Sequence, residues 1–255
     1  MYQRKTITST ILILVVSAMA VGASAQGERT LPAAPGATGG DVYFDSSRFQ
    51  ARLHSETEVS PQAMQQVALG EQAVAFGFAA KSAEAKFFIL GSKYTEAVAQ
   101  LHSGNFAEAA KRLAELEQEL INLQAPSGLY NYLSKTRNIL ERQQYTTEVR
   151  VDFLALLQPL LDDYAKSKGD DKLTLFRAGT WLMDIGLAAA AKDAPALRQL
   201  TKVQYFSREL KRLEAPKGIL EALDQLTRVT AKPQLTDADA QEVLTLVKQI
   251  QEDLG

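Results

Sequence analysis

The chain repeats itself about every 90 residues, and that self-similarity constrains its fold more than any other feature. Leu120, Leu123, Ala125, Pro126, Gly128 and Leu133 recur without a gap as Leu210, Leu213, Ala215, Pro216, Gly218 and Leu223. The same offset carries Thr57-Glu58-Val59 onto Thr147-Glu148-Val149, Thr146 onto Thr236, Leu154 onto Leu244 and Asp163 onto Asp253. A shift of two residues in an intervening turn also brings Phe88 and Gly91 over Phe176 and Gly179. Repetition at a fixed period implies an architecture in which each unit buries its apolar face against its neighbour. Chains of that kind present a surface more often than they enclose a reaction.

The periodicity inside each unit is helical. Ser60-Pro61 supplies an N-cap hydroxyl followed by proline at the first helical position. Met64, Val67, Val74 and Phe78 then recur on one face. A helix is expected from about Glu84 to Leu101, closed by Ser103-Gly104-Asn105, and a third from Phe106 to about Leu123. Pro126 interrupts, and a fourth follows with Leu129, Leu133, Thr136 and Ile139/Leu140 facing inward. The second copy retraces this. Val149, Phe153, Leu156/Leu157, Leu160 and Tyr164 line its first helix, with Pro159 bending the last turns. Leu175/Phe176 to Gly186, Leu197 to Leu210 and Ile219 to Val229 line the rest. A last helix starts at Thr236, with Asp239 placed for a capping box. No segment alternates at period two for long enough to make a strand.

The expected fold is therefore all-α: tandem antiparallel helical repeats, with four-helix units at 57–146 and 147–236 and a closing helix at 237–255. The units either stack as a solenoid or close as paired four-helix bundles. The Ala-Pro-x-Gly corners end one helix and open the next, and their Gly lets backbones approach. Gly91 and Gly179 fall mid-helix, where a small residue permits a close helix crossing. Gly104-Asn105-Phe106-Ala107-Glu108-Ala109, with Leu113 four residues on, resembles the turn between the helices of a tetratricopeptide repeat. The resemblance covers about ten residues of one copy. Lys192-Asp193-Ala194-Pro195 in the other lacks the glycine and the aromatic, and the period differs from the roughly 34 residues of that family. It is the shared physics of a tight helical hairpin.

The N-terminal residues carry a targeting pattern. Arg4 and Lys5 precede a short apolar run, Ile11 to Val21, and Ala23-Ser24-Ala25 offers the small residues of a cleavage site. Residues 1–25 are expected to be a cleavable signal peptide and residues 26–56, with Pro32, Pro35 and several Gly, a flexible linker. Within that stretch Val42-Tyr43-Phe44 is a small apolar cluster. Without Arg4 and Lys5 the chain keeps 26 basic residues against 30 acidic ones, a net charge of −4. That balance provides no positive field for nucleic acid or anionic lipid. The chain has no Cys, which removes disulfides, thiol nucleophiles and Cys-bound metal from consideration and suits a bacterial periplasm.

Catalytic patterns are sparse. The two histidines, His54 and His102, belong to no His-x-x-x-His or Glu-x-x-His motif and read as solvated. Glu115, Glu117 and Glu119, and Asp162, Asp163, Asp170 and Asp171, read as solvated faces and loops. No phosphate-cradling loop or nucleophile elbow is present, so no cofactor or metal is expected. The aromatics offer the one asymmetry. Tyr130, Tyr132, Tyr145 and Trp181 stand where the other copy has Leu220, Ala222, Leu235 and Lys93. Trp181, Tyr132, Tyr130 and Met183 are therefore the candidate lining of a groove, since Tyr and Trp suit interfaces. The expected function is that of an exported, periplasmic or secreted, non-catalytic module. It would bind another protein or peptide of the cell envelope, without nucleic acid and without a membrane anchor once the signal is cleaved. The alternative is a helical-bundle carrier of a small apolar ligand.

Overall fold

The structure is a computed structural model that describes residues 45–68, 83–142, 144 and 146–254. Its regular elements are all helices: α1 (Ser46–Glu56), α2 (Pro61–Val67), α3 (Ala83–His102), α4 (Phe106–Asn122), α5 (Ser127–Glu141), α6 (Thr147–Lys168), α7 (Asp170–Ala190), α8 (Ala194–Leu197), α9 (Leu200–Arg212), α10 (Lys217–Thr230) and α11 (Asp237–Leu254). No strand occurs among the described residues. The expected signal peptide, Val42-Tyr43-Phe44, Val74, Phe78 and Tyr145 lie outside them.

The capping chemistry read from the chain is in place. Ser60 Oγ accepts the amide of Ala63 at 3.1 Å, and the Asn105 side chain accepts that of Glu108 at 3.4 Å. Gly104 turns the chain at φ +75°, a conformation that costs glycine little. Thr236 and Asp239 form a reciprocal box: the Thr236 amide donates to Asp239 Oδ2 at 2.8 Å, and the Asp239 amide donates to Thr236 Oγ1 at 3.3 Å. The α4–α5 and α9–α10 corners carry matching hydrogen bonds. Ala125 N donates to Leu120 O at 2.9 Å, and Ala215 N to Leu210 O at 3.0 Å. The left-handed residue at each corner is Gln124 (φ 54°) or Glu214 (φ 56°), not the glycine. Gly128 has open space where a side chain would stand, so close backbone approach is not its role.

At the centre α3 and α7 cross, and both are buried along nearly their whole length. The crossing is reciprocal. A Cβ on Gly91 would run into the Phe176 carbonyl oxygen, and one on Gly179 into that of Phe88. Ser92 Oγ donates to Gly179 O at 3.4 Å, and Thr180 Oγ1 to Gly91 O at 3.4 Å. Small residues let the backbones touch, and hydroxyls serve the carbonyls that the contact strands from water. The other helices cover this pair. α4 lies on α3 and carries α5, α11 lies on α7 and α10, and α6 flanks α7.

Three segments depart from the sequence reading. Residues 46–56, expected to be linker, form α1, whose N-cap Asp45 accepts the Arg48 amide at 2.9 Å. The helix expected through Leu197 to Leu210 is broken into α8 and α9. Gln199 sits in the break, its Nε2 on Ala196 O at 2.7 Å and its Oε1 accepting the Trp181 indole at 3.1 Å. Asp162, expected to be solvated, is buried against Arg177 at 3.0 Å.

Candidate functional site

Of the four aromatic and thioether candidates, two are core. Trp181 is 1% exposed, stacked on Phe206 with centroids 4.8 Å apart, and its indole N–H is satisfied by Gln199. Met183 is equally buried, its sulfur accepting Gln251 Nε2 at 3.1 Å, and it lines a cavity of about 320 Å³ with Met64, Glu96, Arg112 and Leu187. Tyr130 and Tyr132 lie on α5, half-buried at the edge of the core. Tyr132 stacks on Phe153 of α6 at 5.6 Å, and burial, with Asp152 nearby, raises its phenol above the usual range. The structure places Trp181 against α9 and Tyr132 against α6.

Tyr132 borders the feature that stands out on the surface. Between Val151 and Leu161, α6 is apolar at every position but Asp152 and Gln158. Phe153, Leu157 and Leu161 face the core, while Val151, Leu156 and Leu160 are 57%, 52% and 41% exposed, and Ala155 and Pro159 are exposed beside them. The sequence reading put Leu156 and Leu160 inward; the buried positions are Leu157 and Leu161. The residues ninety positions on, in α11, show what such a helix does when it is covered. Leu246 and Ile250 are 4% and 1% exposed, and the outward positions are Gln241, Thr245 and Gln249. α11 packs along α10, whereas α6 meets the corresponding α5 chiefly at Tyr132. Exposed apolar side chains in a contiguous row are what a binding surface requires, and single scattered ones are not.

On its other flank α6 forms a groove of about 350 Å³ with α1. Val151, Leu154, Ala155 and Pro159 make its apolar wall. Arg48, His102 and Arg150 bring donors and positive charge to it, and Asp45 and Gln158 complete it.

Beneath the groove runs a polar seam that fastens α1. The Ser46 amide donates to Gln158 Oε1 at 3.0 Å, which also accepts the Tyr94 hydroxyl at 3.3 Å. Gln50 Nε2 donates to Asp184 Oδ1, and Thr57 Oγ1 to Asp193 Oδ2 at 2.9 Å. Asp184 is fully buried within α7. Desolvation pushes its carboxyl well above the usual range, against hydrogen bonds from Ser46 and Gln50 and the charge of Lys202. His54 and His102, expected to be solvated, stack with centroids 5.8 Å apart, and each is lowered to about 4. Burial is the main cause for both; His102 adds to it at His54, and Arg150 at His102. The two rings are 48 residues apart in the chain, so no local motif could have joined them.

No group of three or more His, Asp or Glu side chains among the described residues is arranged to hold a metal ion. No helix among them is long and apolar enough to cross a membrane. Comparison of the chain with protein-family models, with curated proteins and with solved structures finds no match.

Proposed function

We propose that this is an exported, non-catalytic interaction module that binds a protein or peptide of the cell envelope through the exposed face of α6. The single observation that carries the reading is the contrast at matched positions. Leu156 and Leu160 stand open where Leu246 and Ile250 are covered, and Val151, Ala155 and Pro159 are apolar where Gln241, Thr245 and Gln249 are polar. Leaving large apolar side chains in water forfeits about 25 cal/mol per Å² that burial would return. A partner that covers the face recovers that free energy. Two helical units related by duplication, with α11 closing the second, are the scaffold of the proposal. Its support is the reciprocal crossing at Gly91 and Gly179 and the matching corners at Gln124 and Glu214. Export rests on the basic and apolar N-terminal residues.

The test is native mass spectrometry of the mature protein taken gently from the exported fraction of its host, beside a Leu156→Glu/Leu160→Glu variant. The reading expects a second polypeptide on the native chain and its loss from the variant, with the circular dichroism of the two unchanged. A partner retained by the variant would place the binding surface elsewhere. A mass shift of a few hundred daltons, equal in both, would favour the small-ligand carrier.

A further inference from the structure

The groove between α1 and α6 narrows the chemistry of that partner. Arg48 and Arg150 both line it, and neither guanidinium has an ion pair among the described residues. Arg48 is exposed and Arg150 partly buried, and the chain pairs most of its other partly buried cations. Lys93 meets Glu119 at 3.4 Å, Arg112 meets Glu96 at 3.3 Å and Glu108 at 3.0 Å, and Arg177 meets Asp162 at 3.0 Å. The partly buried, unpaired Arg150, with the exposed Arg48 beside it at the same apolar groove, therefore concentrates positive charge in a protein whose net charge is negative. Arg150 adds to the burial that lowers the His102 imidazole. Asp45 is the one carboxylate in the lining, and its Oδ1 is already engaged by the Arg48 amide. Asp152 lies toward Tyr132, on the opposite flank of α6.

We propose that this groove anchors a carboxylate of the partner polypeptide, an acidic side chain or a C-terminus, between Arg48 and Arg150. The apolar residues beside that carboxylate then lie along Val151, Ala155, Pro159 and Leu156. A guanidinium in a partly dry groove pairs a carboxylate with two parallel hydrogen bonds, which a neutral or basic segment cannot supply. The surface fits a polypeptide better than a small amphiphilic acid. From Val151 to Leu160 the apolar row spans ten residues, roughly 13 Å along the helix, on an open face. Small apolar ligands take sites that enclose most of their surface. The inference rests on the interaction reading of α6 and adds its charge requirement.

Fluorescence anisotropy with two labelled synthetic helical peptides tests it. Both carry one Leu/Ala face; one has Glu at the end of that face and the other has Lys. The acidic peptide is expected to bind about tenfold or more tightly than the basic one at low salt, and to weaken as salt is raised. Arg48→Glu/Arg150→Glu should invert the preference, and Leu156→Glu/Leu160→Glu should weaken both peptides. Equal binding of the two peptides, or a preference untouched by the arginine reversal, overturns the carboxylate anchor. If the leucine variant still weakens both, the interaction reading survives that failure; if it changes neither, the reading falls as well. No binding of the acidic peptide up to about 1 mM overturns the proposal. So does self-association, measured by sedimentation and abolished by Leu156→Glu, which would give the face to a second copy.

Discussion

α6 and α11 stand ninety residues apart, share Leu154/Leu244 and Asp163/Asp253, and are buried to different extents. α11 lies along α10 and α7, its apolar residues inside and its outer face polar and charged, with Gln241, Glu242, Thr245, Lys248 and Gln249. α6 packs on α7 but leaves Leu156 and Leu160 open beside α5, and it has apolar side chains on the outer face as well. Covering a helix is what makes its apolar residues structural. The same residue types left uncovered by the described helices are what the proposed function rests on.

The sharpest way to break the comparison is to place one charge at both positions. Leu246→Glu buries an unpaired carboxylate and should cost about 3–5 kcal/mol in urea unfolding. Leu156→Glu should change stability by no more than about 0.5 kcal/mol. Equal costs would mean that Leu156 is covered within the chain itself.

The central crossing gives a second contrast, between glycines. Gly91→Ala and Gly179→Ala each drive a methyl into a backbone carbonyl and should lose about 3 kcal/mol, by similar amounts because the contacts are reciprocal. Gly128→Ala meets open space and should be neutral or stabilising by up to about 1 kcal/mol. Thermal melts of the three variants decide this.

Smaller effects come from the seam under α1. Asp184→Ala leaves the Gln50 amide without its acceptor and should cost about 1–3 kcal/mol. Asp184→Asn keeps an acceptor and should gain on the wild type as pH rises, because the native acid must then carry a buried charge. The sign follows from a folded pKa raised above the unfolded one: ionising Asp184 weakens the native state, and asparagine has no such ionisation. The histidines act at the other end. Their folded pKa values of about 4 lie below the ordinary 6.5, so their contribution is complete above pH 6.5 and is lost as pH falls toward 4. His54→Gln should flatten that part of the pH–stability curve; an unchanged slope would mean the pair is not buried in solution.

Much of the fold was legible because it is local. Helix starts at Ser60-Pro61, Asn105 and Thr236 need only their own next turn to be recognised, and Gly104 needs only its own φ. α1 escaped notice because its buried face is Ser46, Gln50 and Leu53, too polar to show an apolar period, and it follows a Pro/Gly-rich stretch. The break at Gln199 is set by Trp181, eighteen residues earlier. Of the four candidate residues, Tyr130 and Tyr132 lie at the edge of the core, Trp181 lies inside it, and Met183 is buried yet lines a cavity, distinctions that composition does not carry. Leu156 looked inward because Leu157 and Leu161 share its helix, and a helix that is apolar all round hides which face lacks a neighbour. The sequence does carry one sign of the buried seam, a lone Asp184 inside the apolar run Trp181 to Ala190.

The most direct test of α6 as the binding face is photo-crosslinking in the host from a photoreactive residue placed singly at Leu156 or at Gln249. The account predicts a discrete adduct with a second polypeptide from position 156 and none from position 249 on the covered counterpart helix. Adducts of equal yield from both positions, or none from 156, would contradict it.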